Sequence, residues 1–254
     1  MAEAPPRLTV VLPTRNEAAG IVLVIKRVEE SLCRVGIDAE IVVVDDSDDG
    51  TADVVRQERF DLPVTVIHRE KDARDGLAGA AIRAFGESRG RFVSLLDADL
   101  QHPPELLPKL LEAAEQGADV VVASRFCAGG SAAGLSGPMR LLISQASRLT
   151  AKAVFLRRLK GVSDPLSGFF LFDRDVVEGV GLQPAGFKIL LEILIRGRWR
   201  SSRDIPYRFA PRASGSSKAS LRQGVEFLKQ LQLLRMSANR SDSATSAKAG
   251  VSHR

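Results

Sequence analysis

The stretch VSLLDADLQHPPELLPKLLEA, residues 93–113, ends an apolar run in two aspartates, Asp97 and Asp99, with one residue between them. An extended backbone turns side chains two apart to the same side, so both carboxylates face one way. Gln101 follows at the next even step if the extension continues. Such oxygens are hard ligands that suit Mg²⁺ or Mn²⁺, ions that keep water and complete their shells with substrate phosphates. The spacing therefore nominates Asp97, Asp99 and Gln101 to hold a divalent ion against a diphosphate. A competing assignment is helix capping, because Asp99 or His102 could close the start of a helix near Pro104. Capping accounts for one acid, whereas a pair at the end of a buried strand needs a cation or a proton.

A second acidic cluster, VVVDDSDDGT, has a similar shape. Asp48 and Asp49 suit the positive end of a helix opening at Thr51, while Asp45, adjoining the strand, is the better placed to face a ligand. Apolar runs rich in β-branched residues recur at 8–12, 41–44, 64–67, 92–96 and 120–123. Helical patterns fit 20–35, 51–59, 77–88 and 104–116. That alternation predicts an α/β fold, a Rossmann-like, mainly parallel sheet flanked by helices. Ligands in such sheets bind beyond the carboxyl ends of the strands, where PTRNE, DDSDDGT and DADLQ all fall. Three strand ends thus point to one crevice.

The bulk numbers narrow the function classes. At 254 residues and 44% hydrophobic, one core and one domain are expected. The 36 Lys and Arg against 31 Asp and Glu give a net charge of +5, which favours anionic partners. Aromatics amount to 5% and form no spaced stacking platform, which disfavours nucleic acid as a partner. Cys33 and Cys127 carry no zinc spacing and read as core thiols in a reducing compartment. No signal-peptide pattern opens the chain, and no window approaches the ~18 uncharged apolar residues of a membrane span.

Beyond Phe126 a Gly/Ser-rich stretch leads to residues 139–160, which hold six Lys/Arg and no acid and read as a basic amphipathic helix. DPLSGFFLFDRDVV returns a strand and FKILLEILIRGRW a helix. Residues 1–220 read as the catalytic domain, 221–237 as a further basic amphipathic helix, and 238–254 as a disordered tail too polar and small to pack.

VVLPTRNEAAGI, EIVVVDDSDDGT, LLDADLQHPPELLPKLL, VVVASRF, DPLSGFFLF, GFKILLEILIRG and RASGSSK, in that order, resemble the polyprenol-phosphate (dolichol-phosphate) mannose synthases, family 2 glycosyltransferases of the GT-A fold. The resemblance runs from about 8 to 221. It implies inverting transfer of a hexosyl group, most often mannose from GDP-mannose, to a polyprenyl phosphate, by an enzyme held peripherally at the cytosolic face of the membrane. It also implies that Asp97, Asp99 and Gln101 hold the metal and diphosphate and that Pro13, Glu17 and Asp45 line the nucleoside pocket. The same resemblance implies that Arg125, Arg140, Ser144 and Arg212 meet phosphates and that Asp99, Arg125 and Arg212 carry the chemistry. Arg15 stands where the family usually has an aromatic; its guanidinium could stack on a base or meet the diphosphate. Arg74 and Asp75 take no assigned role. Many members of the family carry membrane helices after the catalytic domain, which this sequence does not show; contact with the bilayer, or with a membrane-protein partner, would then rest on the two amphipathic segments, whose apolar stripes fit a core or a subunit interface equally well.

One point stands without the resemblance. Transfer to a hydroxyl needs a carboxylate base, generally an acidic pair at the head of a late helix, and that helix here opens GFKILLE, with Lys188 in that place. A phosphate monoester, with a second pKa of about 6, needs no base, only cations to hold it. From Lys188 to Lys218 there are eight Lys/Arg and two acids, and Arg212 and Lys218 flank ASGSS, a loop able to close on phosphate. Alternatives are transfer from UDP-glucose or another nucleotide sugar, polysaccharide building, and nucleotide-sugar binding without turnover. The second is weakened by Ile195 standing where the Gln of a Gln-x-x-Arg-Trp motif would precede Arg198 and Trp199.

Overall fold

Apolar runs without polar alternation have two faces to bury, and they form the centre of the sheet. The strands are β1 (Leu8–Thr14), β2 (Ala39–Asp45), β3 (Val64–His68), β4 (Phe92–Leu96), β5 (Val120–Ser124), β6 (Phe169–Asp173) and β7 (Ser202–Pro206). The computed structural model describes residues 4–135, 137–184, 186, 188–210, 224 and 226–237. Arg212, Lys218 and the tail 238–254 lie outside the described residues. Every residue of β1, β2, β4 and β5 is buried, as strands covered on both faces must be. The order is β3-β2-β1-β4-β6-β5-β7, parallel except for β6, which runs antiparallel between β4 and β5. The mainly parallel sheet read from the sequence is thus found with one reversed strand.

Alternation along these strands divides the core in two. Val11, Val42, Val44, Val93 and Leu95 point to one face, while Val10, Leu12, Ile41, Val43 and Leu96 point to the other. Helices α1 (Ile21–Cys33), α2 (Thr51–Gln57) and α4 (Leu107–Glu115) place Ile25, Val55 and Leu110 on the second face. On the first lie α3 (Gly76–Glu87), the end of α5 (Pro138–Val154), α6 (Ile189–Arg196) and a last helix, α7, over 226–237.

Three features depart from the sequence reading. Strand β7 was not expected: SRDIP carries the charged pair Arg203 and Asp204, ends in proline and lies at a sheet edge, where a proline costs no ladder bond. Cys33 is exposed at the end of α1 and is not a core thiol. In α7, Phe227, Leu231 and Leu234 are buried in the first core while Leu228, Leu233 and Met236 are exposed, so one apolar stripe of this amphipathic helix belongs to the domain and not to a membrane or partner. By contrast α5 buries only Ala151 and exposes Met139, Leu142, Ile143 and Leu149. Among the described residues no helix is long and apolar enough to cross a membrane.

Candidate active site

The alternation that sorts the core also aims the strand ends. Pro13 continues the parity of Val11, Asp46 that of Val44, and Asp97 and Asp99 that of Leu95, so all four project over the face carrying α3 and α7. They line one crevice of about 750 Å³. Arg15 and Glu17 extend its rim from β1, Asp75, Gly76 and Leu77 close it from the start of α3, and Glu226, Lys229, Gln230 and Leu233 form its wall on α7. Among the described residues, the two non-glycine residues with positive φ flank it, Asn16 at 60° and Leu100 at 61°. Such conformations cost free energy and gather at functional sites.

Asp45 has the opposite parity. It is 0% exposed and belongs to a separate cavity with Ser47 and His68, where its carboxylate accepts from Thr14 Oγ1 at 2.8 Å and from Ser47 Oγ, and meets His68 Nδ1 at 2.8 Å. The crevice position expected of it belongs to Asp46. The buried Arg69 guanidinium donates to both Asp46 oxygens at 2.7 Å, to Asp75 Oδ1 at 2.5 Å and to the Gly76 carbonyl at 3.1 Å. The bond to Asp46 raises the Arg69 pKa, so the charge is permanent. Sequence reasoning gave Asp46, Asp75 and Arg69 no role. Counting in twos from Val42 would have found Asp46, but Arg69 becomes visible only once β3 lies beside β2.

Asp97 and Asp99 do share one side. The Asp97 side chain is 35% exposed, and Gly168 lies so close beneath it that a Cβ there would come within 2.0 Å of Asp97 Oδ2. Asp99 Oδ1 accepts from the Gln101 backbone N–H at 3.1 Å, fixing the turn. Gln101 itself is buried, and its Nε2 donates to the Ala210 carbonyl at 2.9 Å. Among the described residues no group of three or more His, Cys, Asp or Glu could hold a metal alone. Two adjacent carboxylates facing a roomy crevice fit a hard cation that takes its remaining ligands from water and phosphate.

The cationic side is built around Arg125. Its Nε and Nη2 fork onto the fully buried Asp164 carboxylate at 2.8 and 3.1 Å, and its guanidinium lies 5.3 Å from the Phe126 ring and 5.4 Å from that of Phe209. Burial works against this charge, but Asp164 outweighs it and the pKa rises. Desolvation, with the nearby Arg125, lowers the Lys188 ammonium against the pull of Asp97 and Asp164, which places these four charges in one electrostatic unit. Arg140 and Ser144 lie one turn apart on α5, both partly buried. Glu192, the acid of α6, is 1% exposed, lies 2.6 Å from Arg196 Nε and accepts from the Gln183 N–H. Burial raises its pKa, and it does not line the crevice.

A twisted parallel sheet with one reversed strand, acids at the strand ends and a cationic flank is the layout of a nucleotide-sugar transferase. Residues 9–181 match the model of glycosyl transferase family 2, and the chain belongs to that family. It is 40% identical over 230 residues to a dolichol-phosphate mannosyltransferase of Pyrococcus furiosus, covering 90% of this chain and 63% of that protein, so it spans less than two thirds of that relative. It is 32% identical over 208 residues to the Saccharomyces cerevisiae protein of the same name, covering 77% of this chain and 74% of that one. Mannosyl-3-phosphoglycerate synthase from Rubrobacter xylanophilus superposes with a TM-score of 0.66 at 23% identity, over 91% of this chain and 75% of that one. Glucosyl-3-phosphoglycerate synthase from Mycobacterium tuberculosis, solved with Mn²⁺, UDP-glucose and phosphoglyceric acid, gives 0.66 at 21% identity, over 92% and 79%. The fold is of the GT-A type.

Proposed function

We propose that this glycosyltransferase moves mannose from GDP-mannose onto a polyprenyl phosphate at the cytosolic face of a membrane, with inversion. The observation that carries the reading is the pairing of two unlike charge centres: twin carboxylates in a nucleotide-sized crevice, and beside them Arg125 and Lys188 with the only acid of α6 turned inward. The first suits a cation-bound diphosphate. The second suits an acceptor that arrives already ionised. The names of the relatives from Pyrococcus and yeast support mannose and a dolichyl-type phosphate.

Asp97 and Asp99 would hold Mg²⁺ or Mn²⁺, which when bound neutralises charge on the departing diphosphate. Gln101 supports the turn that presents them, and its buried amide ties that turn to Ala210. Pro13, Arg15, Glu17 and Asp46 receive the nucleoside end of the donor. Arg125, held by Asp164, presents a fixed guanidinium to the acceptor phosphate, with Arg140 and Ser144 of α5 guiding that phosphate in. Arg212 and Lys218 lie outside the described residues; on the sequence reading they are further cations for the same acceptor phosphate. No proton need be removed from the attacking oxygen, so no base is required.

The test incubates the protein with radiolabelled GDP-mannose, UDP-glucose and other nucleotide sugars, Mg²⁺ or Mn²⁺, and a short polyprenyl phosphate, and follows label into the organic phase. Label is expected from GDP-mannose. Asp99→Ala should lower it by about 10³-fold or more with an unchanged melting curve. Label from UDP-glucose alone would overturn the sugar, and transfer confined to hydroxyl acceptors would overturn the acceptor class.

A further inference from the structure

Behind the Asp97 carboxylate runs a line of buried polar groups that the reaction above does not use. Tyr207 Oη lies 2.9 Å from His102 Nδ1, and His102 Nε2 lies 3.6 Å from Asp97 Oδ2. The two rings are 5% and 4% exposed, and the imidazole is caged edge-on by Phe169 and Phe209 at centroid distances of 5.8 and 5.1 Å. A buried histidine in an aromatic cage is constrained in position. Its polarity is set by its neighbours.

His102 Nε2 faces Asp97 Oδ2 at 3.6 Å, an electrostatic contact longer than a hydrogen bond, so the imidazole edge confines that oxygen by contact and charge. On the other side of the ring, Nδ1 shares a hydrogen bond with the Tyr207 hydroxyl, which holds the imidazole in place. The backbone closes the other side: Asp97 N donates to the Gly168 carbonyl at 3.2 Å, and Gly168 leaves no room for a side chain under Oδ2. Asp97 thus has one oxygen boxed between an imidazole edge and a glycine.

We propose that His102 and Tyr207 are positioning residues for the cation site, holding the Asp97 carboxylate so that its exposed part faces the diphosphate. The proposal rests on the reading of Asp97 as a cation ligand. Groups oriented behind a metal-binding side chain typically alter metal affinity about 10–100-fold. A role in packing alone would instead act on stability and leave the affinity of the folded protein untouched.

The experiment titrates the purified full chain with Mn²⁺ in the presence of GDP and without donor sugar, reading free Mn²⁺ by electron paramagnetic resonance, with metal-free melting curves alongside. Tyr207→Phe keeps the ring and removes the hydroxyl; it should weaken Mn²⁺ several-fold. His102→Leu should weaken it about 10–100-fold, and His102→Gln, whose amide can present an N–H to Asp97, should recover most of that loss. Wild-type affinity in Tyr207→Phe and His102→Leu, or equal losses in the Gln and Leu variants, would overturn the proposal. Mn²⁺ binding that Asp97→Asn leaves unchanged would instead bring down the cation reading itself.

Discussion

Arg125 illustrates how one charge is made dependable. A guanidinium on a flexible stem gains little from an exposed partner, but here both forked bonds run to a carboxylate with 0% exposure. Removing one member of such a pair strands the other, so Asp164→Asn should cost about 3–5 kcal/mol in urea unfolding. Arg125→Lys keeps the charge and loses the fork; we expect a KM for acceptor raised about tenfold with the donor KM unchanged. At this scale the sequence was legible where periodicity alone decides. Asp97 and Asp99 follow from a spacing of two and a strand that ends beside them. Asp45 and Asp46 are adjacent, and only the parity of the strand tells which is buried among Thr14, Ser47 and His68 and which meets Arg69.

Among the elements, α7 does the least expected work. Read alone, its stripe of Phe227, Leu231 and Leu234 fits a membrane interface as well as a core, because both solvents accept the same pattern. The structure gives the stripe to the domain and the next face to the crevice, with Gln230 Nε2 donating to the Lys188 carbonyl at 3.1 Å. Truncating the largest anchor, Phe227→Ala, removes about 3–5 kcal/mol of burial from a short element. Hydrogen exchange should speed over 226–237 before it does in the sheet, and nucleoside diphosphate affinity should fall as the wall loosens. Most strands and helices were readable from apolar runs and helical spacing. β7 was not, since charged residues and a terminal proline hide an edge strand whose ladder partner, β5, supplies the apolar face.

For the molecule as a whole, α5 is where charge and exposed apolar area coincide. Residues 139–160 carry six Lys/Arg and no acid, and Met139, Leu142 and Ile143 stand exposed beside Arg140 and Ser144. A surface of this kind binds anionic bilayers through both terms. We expect the protein to sediment with phosphatidylglycerol vesicles at low salt, to be released as salt rises, and to bind less in a Met139→Ser, Leu142→Ser, Ile143→Ser variant. A further consequence follows from the reciprocal hydrogen bonds between Gln101 and Ala210, 2.9 and 3.0 Å long across 109 residues of chain. The loop bearing the twin acids is completed by a partner that leaves the ribosome long after it. A nascent chain released before that point would hold the strand-end acids Asp46, Asp97 and Asp99 and no finished site, so activity should emerge last in refolding, after the sheet has formed.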